Sequence, residues 1–160
     1  MNTLIHHTTG LIHLFSAVAA LLLGSFVLFM KKGTLLHKRM GYLYVFSMIV
    51  MNITAFCIYE LFHRFGPFHI AALISSVTLL MGFLPALFKK QIPSWIYYHV
   101  FGMYYSAIGL YAAFAAEVIV RIPGIHFGIG VSVATLVVMG AGILIIQINK
   151  KNWLPKTQSN

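Results

Sequence analysis

Eight histidines and two carboxylates, Glu60 and Glu117, are the groups in this 160-residue chain best suited to bind a metal, hold a haem or move a proton. Imidazole titrates near neutral pH and is a common nitrogen ligand to iron, zinc and copper. The chain offers little beside them. It has one cysteine, Cys57, and no Asp, which excludes a disulfide framework, a four-cysteine metal site and a Ser-His-Asp triad. No Gly-x-Ser-x-Gly and no phosphate-binding glycine loop occurs, so there is no hydrolase or transferase signature.

Two chemistries suit the histidines. Haem b in a helical protein needs imidazoles at matching depth on different helices, with small residues making room for the macrocycle. At 100° per residue, His6, His13, Ala17, Ala20 and Gly24 fall on one stripe. His69 shares a face with Ala72 and Ser76. His13 and His69 are therefore the expected haem pair toward the amino-terminal side of the membrane, and His99 with His37 the expected pair at the opposite side, an arrangement suited to electron transfer across a bilayer. His99, Met103, Ser106, Ala113 and Glu117 share another stripe, whose ends lie about 27 Å apart. The alternative is a zinc or copper site built from His13, His69, Glu60 and Glu117, with His6, His7, His63 and His126 as further donors. No pair of His at i and i+4 selects among these. Glu60 and Glu117 each precede an arginine, Arg64 and Arg121, by four residues, the favourable order for a helical ion pair. Asn52 falls near the middle of an apolar run, on a stripe with Tyr44, Met48 and Tyr59, and is expected to be hydrogen-bonded between helices.

Long apolar helices must position these groups. Hydrophobic residues make up 60% of the chain and charged residues 8%, with a mean hydropathy of +0.89. A water-soluble domain carries about 25% charged residues, so this composition excludes a soluble enzyme and a disordered chain. A helix of about 20 apolar residues crosses the hydrocarbon core. Five stretches qualify, at about residues 8–30, 40–62, 68–88, 95–120 and 127–148, and short connections predict one all-α integral membrane bundle, a single domain over 1–160. The first stretch has no Lys or Arg before it and reads as a retained helix, not a signal peptide.

Lys31, Lys32, Lys38, Arg39, Lys89, Lys90, Lys150, Lys151 and Lys156 fall on one side of these spans, against Arg64 and Arg121 on the other. The positive-inside rule then puts the amino terminus outside and the carboxyl terminus in the cytoplasm. The net charge of +9 reflects that topology and contact with anionic lipids at the cytoplasmic face, with no nucleic-acid partner. Trp95, Tyr97, Tyr98, Phe62, Phe65, Phe68 and Trp153 are expected in the interfacial aromatic belts. Haem handling in place of electron transfer, a quinone or other redox partner and a homo-oligomer are compatible with such a protein, and a non-catalytic membrane subunit is a further alternative.

Short motifs add a resemblance. Gly10-Leu-Ile-His13, Ala20-Leu-Leu-Leu-Gly24-Ser-Phe and Leu36-His37-Lys38-Arg39-Met40-Gly41-Tyr42-Leu43-Tyr44-Val45 resemble the bacterial membrane family called domain of unknown function 2306. So does His99-Val-Phe-Gly-Met103, although Tyr105 and Ala107 replace the Arg and Tyr that often follow in that family, and Ser25 stands where a Pro is common. The resemblance covers about residues 10 to 121 and implies a small polytopic protein of a bacterial plasma membrane. It singles out His13, His37 and His99 and implies no particular chemistry.

Overall fold

The computed structural model describes the backbone of residues 2–59 and 63–153 and the side chains of 8–59, 63–150 and 153. His6, His7 and Glu60 therefore lie outside the described side chains. The described residues form five helices and no strand: α1 (Asn2–Phe29), α2 (Leu35–Phe56), α3 (Pro67–Leu87), α4 (Trp95–Ile119) and α5 (Phe127–Trp153). Each is long and apolar enough to cross a membrane. The shortest, at 21 residues, reaches about 31 Å, the thickness of the hydrocarbon core.

Most large apolar side chains face outward. Phe29 is 91% exposed, Ile148 75% and Leu136 72%. In water such surfaces would aggregate; in a bilayer they are the lipid-facing surface. Amphipathicity therefore says little here, and small or polar residues mark the buried faces instead.

The helix boundaries have local causes. Lys32 folds its ammonium back onto the carbonyls of Val27 and Leu28, at 2.6 Å each, closing the carboxyl end of α1. Burial there holds the Lys32 pKa below its usual value. Gly33 takes the left-handed turn at φ 78°. Thr34 then caps α2, its Oγ1 accepting the His37 N–H at 3.1 Å. This cap starts α2 five residues before the hydropathy estimate of 40 and takes Lys38 and Arg39 into the helix. At its other end α2 stops at Phe56, not 62. The helix α5 runs beyond 148, through the basic residues, to Trp153.

The chain divides into two compact units, Met1–Leu79 and Leu80–Asn160. In the first unit α1 packs on α2. Gly24 makes room for the Tyr44 ring; a Cβ there would lie 3.0 Å from Tyr44 Cε2. Tyr44 and Met48 are sealed in this core with Ala20. In the second unit α4 packs on α5, with Gly142 against Ile108. The end of α3 crosses α4 at Gly82 and Gly102, where a Cβ on either glycine would run into the backbone of the other helix. Ser106, Ala107 and Ala112 are buried on the inner face of α4.

Candidate functional site

Three histidines are held inside the units by specific hydrogen bonds, and those bonds determine which ring nitrogen carries the proton. His13, half-buried on α1, reaches α2 with Nδ1 3.1 Å from the Met51 carbonyl and 3.1 Å from Thr54 Oγ1. The Thr54 hydroxyl donates its own hydrogen to the Val50 and Met51 carbonyls, at 2.8 and 2.9 Å. Both partners of Nδ1 therefore act as acceptors, which favours the tautomer with the proton on Nδ1.

His99, near the start of α4, repeats the pattern in the second unit. Its Nδ1 lies 2.9 Å from the Gly82 carbonyl, an acceptor only, so Nδ1–H again donates. The close approach of Gly82 and Gly102 brings the two helices within reach. Pro85, buried in α3, has no N–H for the Met81 carbonyl and so loosens the helix beside the carbonyl that His99 uses.

His69 is the reverse case. It is 4% exposed, and its Nδ1 accepts from the Gly66 N–H at 3.2 Å. Gly66 stands before Pro67 at the first position of α3, and His69 occupies the third, so the imidazole plays the part of the Glu or Gln in a capping box. With Nδ1 accepting, the neutral ring carries its proton on Nε2. That Nε2 is buried and has no hydrogen-bond partner among the described residues. Three rings surround the imidazole: Tyr59 at 4.5 Å, Phe65 at 4.9 Å and Phe56 at 6.4 Å between centroids. Phe65, exposed in the loop before α3, lies against His69 on one side.

Asn52 is another buried polar residue of this unit, 4% exposed. It was expected to be hydrogen-bonded within the bundle, yet among the described residues neither its Oδ1 nor its Nδ2 has a partner. It lies one turn before Phe56 on α2 and so shares that residue's face.

The remaining expected donors fall elsewhere. His37 sits in the first turn of α2, half-buried, with its N–H on Thr34. Glu117 is paired with Arg121, as their i,i+4 spacing allows, and belongs to the second unit. His63 and His126 are exposed. Among the described residues no group of three His, Cys, Asp or Glu converges on one point. Of the expected zinc or copper set, His13 and His69 lie in the first unit, Glu117 lies in the second, and Glu60 lies outside the described residues.

Thr54 and the Gly82 carbonyl, the partners that orient His13 and His99, carry no signal in the sequence. The Gly66-Pro67-x-His69 cap does, because it is local.

Five apolar spanning helices joined by short connections define a multi-pass membrane protein. Over residues 10–151 the sequence matches the family described as predicted membrane protein (DUF2306), and the chain belongs to that family. The match takes in α5 as well as the motifs around His13, His37 and His99. No curated protein and no solved structure matches the chain.

Proposed function

We propose that this protein is a redox component of the plasma membrane, amino terminus outside, that binds haem b at two separate places, with His13 as a ligand in the first unit and His99 as a ligand in the second. The observation that supports this reading is the polarity of these two rings. A histidine that ligates a metal through Nε2 almost always gives its Nδ1–H to a carbonyl or carboxylate, which fixes the tautomer and raises the basicity of the ligating nitrogen. His13 and His99 both do so, against Met51 and Thr54 in one unit and Gly82 in the other. Small residues flank both: Ser16, Ala17 and Ala20 after His13, Gly102 and Ser106 after His99. His69, expected as the second ligand beside His13, leaves the ligand set in this reading, because its Nε2 bears the proton. Haem bound there would supply the redox chemistry, and the chain's own part would be to hold and orient the imidazole in each unit.

The test is an absorption spectrum of detergent-purified protein expressed with haem supplied, before and after dithionite. A Soret band that shifts on reduction is the expected result. His13→Ala and His99→Ala are each expected to remove part of it. Sharp reduced α and β bands would identify a second strong-field ligand such as imidazole, and a broad high-spin spectrum an open sixth position. A flat spectrum from haem-replete cells would overturn the proposal.

A further inference from the structure

The enclosure around His69 is a binding site of a different kind, and it does not depend on haem. A buried donor without an acceptor costs free energy in any protein, and more where no water can reach it. Here the Nε2–H of His69 is such a donor. Phe56, Tyr59 and Phe65 press on the same ring. One turn along α2 from Phe56, a distance of about 6 Å, Asn52 holds a second donor and an acceptor, both buried and unpaired. Native proteins leave very few buried polar atoms unsatisfied. Two such side chains in one unit, His69 at the start of α3 and Asn52 one turn from the Phe56 that touches it, mark a place for a ligand.

The chemistry of that molecule follows from these groups. It must offer an acceptor to His69, and Asn52 can serve a carbonyl or a hydroxyl equally well. It must be flat and apolar enough to lie among aromatic rings. It should be neutral, since no ammonium or guanidinium group is among the rings on His69 and Arg64 in the neighbouring loop is exposed. It must also reach a spanning helix, which a lipid-soluble compound does directly. The geometry points to a quinone, with one carbonyl on His69 Nε2–H and its ring against Tyr59 and Phe65. The Gly66 N–H sets this up: by occupying Nδ1 it forces the proton onto the nitrogen that faces the ligand.

The intact protein, delipidated in detergent and free of haem, is titrated with decylubiquinone by calorimetry. Saturable binding of one quinone per chain is expected. His69→Phe removes the donor and Tyr59→Ala removes one stacking face without touching the cap, and each is expected to weaken binding about tenfold. Tyr59→Ala keeps the test informative if His69→Phe folds poorly. A one-electron-reduced semiquinone bound to protein carrying 15N-histidine is expected to show magnetic coupling to a ring nitrogen, lost in His69→Phe. Absence of saturable binding, or unchanged affinity in Tyr59→Ala, would overturn the assignment. A phospholipid retained at this site that quinone fails to displace would also overturn it. Because the sample contains no haem, failure here is distinguishable from a flat absorption spectrum.

Discussion

His13 and His69 flank the same helix, α2, yet their rings are held with opposite polarity. His13 leans on the body of α2, where every backbone N–H is already committed along the helix and only carbonyl lone pairs and the Thr54 hydroxyl oxygen face outward. His69 sits at the beginning of α3, where the first N–H groups have no partner within the helix. The first environment can only accept a hydrogen and the second can only give one. An imidazole follows its surroundings, so one ring donates through Nδ1 and the other accepts there. The position of a histidine along a helix thus separates a metal-ligand role from a donor role, with no change in residue type. His99 in the second unit falls on the side of His13, because it too meets a helix-interior carbonyl.

The largest way to break this pattern is at the crossing that serves His99. Gly102→Val would drive a branched side chain into the backbone of α3 at Gly82. A loss of about 3 kcal/mol is expected from overpacking that backbone cannot relieve. Thermal unfolding in detergent would show it, and the His99 Nδ1–H signal in a 15N spectrum would shift as its acceptor withdraws. Next comes His69. His69→Phe leaves the Gly66 N–H buried and unpaired and should cost about 2 kcal/mol. His69→Gln should recover most of this, since Gln at the third helical position accepts the same hydrogen bond. Equal stabilities of the two variants would show that the cap contributes nothing.

His13→Phe should cost less, about 1 kcal/mol. The carbonyl it abandons faces α2's own ladder, so no backbone group is orphaned. The smallest change is Thr54→Val, which removes one of two acceptors and should cost about 0.5 kcal/mol. Its value lies in the spectrum: the His13 Nδ1 proton should remain, held by Met51 alone. In the wild-type protein the ring nitrogen bearing the proton should be Nδ1 for His13 and His99 and Nε2 for His69. Finding the same tautomer at all three would remove the distinction between them.

The five spans were legible because hydropathy over twenty residues is a strong signal, and the Glu117–Arg121 pair because its spacing is local. Helix α2 was displaced by five residues at its start because Lys38 and Arg39 look like loop residues. The Thr34 cap that draws them into the helix depends on one hydroxyl. The polarity of His13 and His99 was not legible, since it depends on Met51, Thr54 and Gly82, residues 17 to 41 positions away in the chain. That of His69 was legible in principle from Gly66 and Pro67. A depth argument alone paired it with His13 and could not see that the proton would lie on the other nitrogen. The unsatisfied amide of Asn52 likewise depends on what faces it across the helix interface.

The single cysteine of the chain, Cys57, is exposed just past the end of α2, two residues before Tyr59. It therefore supplies a ready attachment point for a spin or fluorescent label, with no competing thiol to remove first. A membrane-impermeant maleimide would report which face of the cell this end of the protein meets. A spin label there would sense the Tyr59 ring settling or loosening as ligand comes and goes. Nature has placed one chemically addressable atom beside the part of the molecule whose occupancy most needs to be watched.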